Sequence, residues 1–186
     1  MQIPLLIQKF SGVIGMLIVW IILVGYPFFH RDLGYLKETI SALGEKKRNV
    51  FIAITFALLT GNIFQLIFLS YIQNKYVISS DSYGSILYLG MCLASFFAAI
   101  FVPKHNPKLH LLAAACYFVI VPITMLAVGW GTISYGTLIF YVSVVLSIMY
   151  ALVSLFILTK HGKTNAMLEI FCFFTVSVWA LFLTFY

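Results

Sequence analysis

Charge is scarce in this sequence. Only 9% of its 186 residues are charged, and just five are acidic. A soluble domain of this size carries about 25% charged residues, so the shortfall argues against water as the solvent of most of its surface. Cysteine is nearly absent too. Cys92, Cys116 and Cys172 form no CxxC pair, their number is odd, and each falls inside an apolar run. Packing of a small apolar thiol is the expected role. There is no internal repeat, no arginine ladder and no filter-like glycine run, which disfavours a channel or a coupled transporter.

What is present is hydrophobic length. The chain is 63% hydrophobic with a mean hydropathy of +1.08, and runs of about 20 apolar residues, enough to cross the hydrocarbon as a helix, recur from end to end. The expected fold is an all-α integral membrane bundle of six transmembrane helices, at about 10–29, 50–72, 83–102, 110–129, 133–158 and 166–185. The first run is too long for a signal h-region and lacks a small-residue cleavage site, so it is expected to be a retained span. Between the first two spans, Leu33, Leu36, Ile40 and Leu43 share one face of a helix, and Gly44 follows as a C-terminal cap. That pattern predicts a short amphipathic helix at the membrane interface.

The formal charge of +6 raises the question of nucleic acid, but the basic residues are scattered through short loops. No helix carries a basic stripe, so lipid headgroups are the expected partners and nucleic acid is not. The loops after spans one, three and five hold Arg31, Lys37, Lys46, Lys47, Arg48, Lys104, Lys108, Lys160 and Lys163; the opposite side holds Lys9 and Lys75. The bias predicts that the richer face is cytoplasmic and that both termini lie outside. Tyr71, Tyr76, Tyr83, Trp130, Tyr135 and Tyr186 fall on the poorer side and are expected at the headgroups.

Small residues recur at four-residue spacing on span three (Gly90, Ala94, Ala98) and span five (Ser143, Ser147, Ala151), which favours close helix approach. Asn62 and Gln65 on span two are expected to bond across helices, and Pro122 to kink span four unless its neighbours re-satisfy the freed carbonyl.

Candidate chemistry gathers at one mouth of the bundle. His30, Arg31, Lys104, His105 and Glu169 are the candidate binding residues there. An acid at membrane depth, as Glu169 is expected to be, is costly and tends to be paired or functional. A serine nucleophile would be Ser41, with His110 as base and Glu38 or Asp32 as orienter, although no GxSxG elbow surrounds Ser41. No cofactor is expected. Zinc would need His30, His110 and Glu169 to converge, since no HxxxH or HExxH pair presets two ligands. Haem is disfavoured because no histidine lies well inside a span.

The stretches "ISALG" (Ile40–Gly44), "IFVPKHNPKLH" (Ile100–His110) and the late Trp179 carry a family likeness. Through them the whole chain resembles the small polytopic membrane family known as domain of unknown function 998, which is similar in layout to FRAG/DRAM/Sfk-type proteins. The resemblance implies a six-helix membrane protein, with Ser41, Leu43, Gly44, Pro103 and His110 at the family's motif positions. Val102 intervenes between Phe101 and Pro103, and Lys104-His105-Asn106 stands where the family carries an acid. Some members of the wider group are tied to lipid remodelling.

The leading expectation is therefore a protein that binds lipid or serves as an accessory subunit of a membrane complex, with a membrane protein or a second copy of itself as a further partner. The alternatives are a lipid-modifying hydrolase or acyltransferase built on Ser41, His110 and Glu38, and a carrier of small hydrophobic solutes.

Overall fold

The computed structural model describes residues 3–25, 48–101, 105–161 and 166–186. The amphipathic segment around Leu33–Leu43 lies outside the described residues, as do His30, Arg31, Glu38, Ser41 and Lys104.

Among the described residues the secondary structure is entirely helical. Helix α1 spans Leu5–Trp20 and runs into a π-helical turn, Ile21–Gly25; α2 is Arg48–Lys75, α3 Tyr83–Ile100, α4 Pro107–Gly131, α5 Thr137–His161 and α6 Ala166–Phe185. Six helices are long and apolar enough to cross a membrane, which makes this a multi-pass membrane protein. Each helix packs on its chain neighbour and α6 packs back on α1. The result is a closed ring of antiparallel helices.

Two boundaries differ from expectation for local reasons. Helix α1 begins at Leu5, not near 10, because its polar residues are absorbed. The carbonyl of Pro4 accepts from the backbone N–H of Ile7 and Gln8 at 3.0 and 3.1 Å, and Gln8 Nε2 donates back to the Ile3 carbonyl at 2.7 Å. Lys9 Nζ lies 5.4 Å from the Phe10 ring centroid and 5.8 Å from that of Phe185, a cation–π placement. Helix α5 begins at Thr137, not 133. The Thr132 hydroxyl donates to the Gly129 carbonyl at 2.9 Å, and the Tyr135 N–H donates to the Thr132 carbonyl at 2.9 Å, holding a turn there.

Helix α2 stops in a way that needs a left-handed residue. The Ile78 N–H reaches back to the Gln73 carbonyl at 3.0 Å, and Val77 between them has φ of 47°. Glycine usually fills such a helix terminus, so the β-branched Val77 holds a strained conformation. The next helix starts conventionally, with the Ser82 hydroxyl accepting from the Ser85 N–H at 3.2 Å.

Helices α1 and α2 approach closely through Gly12, Gly15 and Gly61. A Cβ added at Gly15 would sit 2.7 Å from Phe64 Cβ, and one at Gly61 would sit 2.7 Å from Val19 Cγ2. The stripe expected on α3 behaves differently: a Cβ at Gly90 would meet only Ile120 Cδ1, at 3.9 Å. On α5, Ser143 and Ser147 are buried but Ala151 is exposed. Ser147 Oγ donates to the Pro122 carbonyl at 2.9 Å and Thr124 Oγ1 to that of Ile120 at 2.8 Å, and α4 runs unbroken through Pro122.

The aromatic belt is also thinner than expected. Tyr83, Trp130, Tyr135 and Tyr186 are exposed, whereas Tyr71 and Tyr76 are buried. Those two rings turn inward to serve the end of α6. Tyr76 Oη and Lys75 Nζ both donate to the Leu183 carbonyl, at 3.1 and 3.2 Å, supplying partners that a helix C-terminus lacks. Burial pushes the Tyr76 phenol above its ordinary pKa, so it remains a donor. Cys92 and Cys172 pack in the interior, but Cys116 is exposed on α4, and all three are free thiols.

Candidate functional site: a cavity beneath His110

His110 belongs to the first turns of α4, which opens with Pro107 at its first position, where a missing N–H costs nothing. Helix α3 ends just before it, at Ile100, with Phe101 leaving in an extended conformation (φ −72°, ψ 100°). The last carbonyls of a helix have no helical N–H to receive. Here His110 supplies one: its Nδ1 lies 3.0 Å from the Ala98 carbonyl and 3.0 Å from that of Phe101.

This geometry assigns the tautomer. Carbonyl oxygens only accept, so Nδ1 carries the hydrogen, and a neutral ring then keeps its lone pair on Nε2. The described residues make no hydrogen bond to Nε2. His110 is thus both a cap for α3 and the bearer of an uncommitted acceptor.

His110 lines a cavity of about 100 Å³ that is walled by the π-helical turn of α1 and by α2, α3, α4 and α6. Glu169 lines the same cavity from the first turn of α6, where a carboxylate complements the positive end of the helix dipole. The rest of the wall is mostly apolar, with Ala98, Ala99 and Ala114 leaving the space that larger side chains would fill. The polar exceptions are largely engaged. Thr55 Oγ1 donates to the Ala99 carbonyl at 3.5 Å, and Ser95 Oγ accepts from Asn62 Nδ2 at 3.1 Å.

A second cavity of about 30 Å³ continues inward, sharing Leu58, Ser95, Tyr117 and Phe173 with the first. It ends against a buried polar chain. Gln65 Nε2 donates to the Gly12 carbonyl at 3.2 Å, and Tyr88 Oη donates to Gln65 Oε1. Asn62 and Gln65 therefore bond across helices as expected, α2 to α3 and α2 to α1 respectively.

The structure brings together two of the candidate residues, His110 and Glu169. His105 is exposed in the turn before α4 and does not line the cavity. Ser41, Glu38, His30, Arg31 and Lys104 lie outside the described residues. Among the described residues no three His, Cys, Asp or Glu side chains gather as a metal site. The cavity's small-residue wall and Cys172, which also lines it, went unread in the sequence. The faint signal was a cluster of alanines flanking His110 on both neighbouring helices.

The fold and site together define a class: an all-α, six-helix membrane bundle with a cavity that is largely apolar among the described residues and is lined at one end by His110 and Glu169. Comparison with family models, curated proteins and solved structures finds no match to the chain.

Proposed function

We propose that this protein binds a membrane lipid, seating part of an acyl chain in the cavity beneath His110. The observation that carries the reading is a space inside the helix ring that is largely apolar among the described residues, with His110 and Glu169 lining one end of it. An apolar cavity of about 150 Å³ admits a benzene-sized guest, so about 100 Å³ suits a short chain segment. Between lipid binding and an accessory-subunit role, the cavity favours the former. Kinship with the domain of unknown function 998 family is part of the proposal and rests on the motifs around Ser41 and His110, not on the comparisons.

Filling the space tests the reading. Ala114 lines the cavity, and a phenylalanine there adds roughly the volume the cavity offers, the kind of overfilling that displaces a guest before it breaks a fold. In Ala114→Phe, lipid co-purifying with the detergent-extracted protein is expected to fall several-fold by mass spectrometry, with the thermal transition unchanged. Equal lipid retention in wild type and variant would sink the proposal.

The orientation belongs to the same proposal: the His110 end cytoplasmic and the chain termini outside, from the excess of Lys and Arg in the loops at the His110 end. Single cysteines beside Lys75 are expected to react with an impermeant maleimide on intact cells, and cysteines beside Lys46 only after permeabilisation. The reverse pattern would overturn the orientation.

A second reading, a lipid-modifying enzyme, is favoured by His110 and Glu169 lining one cavity. There His110 would act as the base and Ser41 as the nucleophile.

A further inference from the structure

At the end of the bundle away from His110, two cations from distant parts of the chain meet at one helix terminus. Of the eleven Lys and Arg in the sequence, only Lys9 and Lys75 fall on that side. The geometry points to a binding site there for the headgroup of an anionic phospholipid, whose phosphate bridges the two ammonium groups. This site is separate from the cavity and does not rest on the reading of it.

The pair is held from both sides. Lys9 belongs to α1 and Lys75 ends α2, and the residue before each ties the two helices, Asn74 Nδ2 donating to Gln8 Oε1 at 3.1 Å. Both cations then converge on the end of α6. Lys75 Nζ donates to the Leu183 carbonyl at 3.2 Å, and Lys9 Nζ lies 5.8 Å from the ring centroid of Phe185. They are near enough for the Lys9 charge to act on Lys75. Capping α6 uses one of the three hydrogens on Lys75, and Lys9 makes no hydrogen bond among the described residues. Two half-buried like charges held together are unfavourable unless an anion lies between them.

The chain supplies no such anion here. Among the described residues no carboxylate pairs with either lysine. The connections at this end, 76–82 and 132–136, are described throughout. Their one acid, Asp81, is exposed and accepts from the Ser79 hydroxyl. Depth favours a lipid as the source. Both lysines lie close to the end of a spanning helix, where headgroups lie. A groove of about 590 Å³ also opens between the start of α1 and the end of α2. It sets polar Gln8, Ser70 and Asn74 beside apolar Ile3 and Leu5, a mixture suited to the glycerol-ester zone. Charge then selects the head. Choline would add a third cation, and the Phe10, Phe185 and Tyr76 rings that could receive it already face the lysines. A phosphodiester of an uncharged alcohol brings one negative charge and no positive one.

Amine reactivity reads the site at the lysines themselves. The full chain is placed in nanodiscs of phosphatidylcholine, of phosphatidylcholine with phosphatidylglycerol, and of phosphatidylcholine with millimolar inorganic phosphate in the buffer. Acetylation of each lysine is followed by peptide mass spectrometry. Lys108 and Lys160, both exposed on the other side, report what an anionic surface does to any lysine. Phosphatidylglycerol is expected to slow Lys9 and Lys75 about fivefold beyond its effect on those two, the worth of one basic residue at an anionic headgroup. Inorganic phosphate is expected to slow neither. In Lys9→Gln the extra protection of Lys75 is expected to vanish. In Lys75→Gln, whose amide can still donate to the Leu183 carbonyl, that of Lys9 is expected to vanish.

Equal slowing of all four lysines by phosphatidylglycerol would overturn the site and leave only surface charge. Protection by inorganic phosphate as strong as by the lipid would overturn the lipid as the source. Protection of Lys75 that survives Lys9→Gln would overturn the bridge between them. Each outcome is independent of the cavity, which Ala114→Phe tests. The wild-type series decides the question even where a variant fails to fold.

Discussion

Gly15→Ala is expected to destabilise the bundle by about 1–3 kcal/mol, the usual range for a methyl forced into a filled contact, and Gly15→Leu to abolish the folded state. The reason is geometric. A Cβ at Gly15 would lie 2.7 Å from Phe64 Cβ and 3.1 Å from the Gly61 carbonyl oxygen, and both are anchored close to the backbone. Neither atom is the free end of a side chain, so relief requires α1 to move away from α2. That movement would also pull on Gly12, where a Cβ would lie 2.7 Å from the Phe68 ring, and Phe68 is fully buried. Between helices in a bilayer no hydrophobic force compensates for lost contact, so packing is most of what is at stake. The control is Gly90→Ala, whose new methyl meets only Ile120 Cδ1 at 3.9 Å. It is expected to be neutral, or slightly stabilising through helix propensity. A thiol-reactive fluorophore that reports exposure of buried Cys92 and Cys172 on heating would rank the three variants. Gly15→Ala melting with wild type would refute the seam.

The same seam shows what the sequence made legible and what it did not. Helix number and fold class could be read because apolar length is a one-dimensional signal, interrupted here by short loops rich in Lys, His and Pro. Glycine contacts are different. Whether Gly15 or Gly90 is the close approach depends on which helix lies opposite and at what rotation, and spacing alone favoured Gly90. Tyr71 and Tyr76 were misplaced for a related reason. A tyrosine near a span end satisfies the headgroup rule, but here the carbonyls at the end of α6 offered a nearer acceptor than lipid or water.

The site was half legible. His110 could be singled out because prolines and lysines account for its neighbours, and Glu169 because acids inside a membrane are costly. Their sharing of one cavity could not be foreseen. A cavity is made of what is missing, here the side-chain volume absent at Ala98, Ala99 and Ala114, and alanine is commonplace in any apolar helix. Nor could the sequence assign the tautomer of His110, which depends on two carbonyls exposed where α3 happens to end. That assignment turns a histidine that looked like a general base candidate into one whose free nitrogen is defined.

Trp179→Ala is expected to have the second large effect, because this ring ties α6 both to its neighbour α5 and, across the bundle, to α3. Its Nε1 donates to Ser143 Oγ on α5 at 3.0 Å, and its ring lies 6.1 Å from that of Tyr88 on α3. Tyr88 in turn donates to Gln65 on α2, which donates to the Gly12 carbonyl on α1. One side chain therefore completes a chain of contacts through five of the six helices. Trp179 is 1% exposed, so its loss leaves a void that neighbours cannot fill without moving. Removing roughly 140 Å³ at about 24 cal/mol per Å³ costs about 3 kcal/mol. Trp179→Phe separates packing from bonding. It keeps most of the bulk and removes only the N–H, and an interhelical hydrogen bond in a bilayer averages about 0.6 kcal/mol. The expected order of melting temperature is wild type, then Trp179→Phe slightly lower, then Trp179→Ala far lower. The combination Trp179→Phe with Ser143→Ala should cost no more than Trp179→Phe alone, since each removes the same bond. If Phe were as damaging as Ala, the hydrogen bond and not the packed ring would be what ties α6 to the bundle.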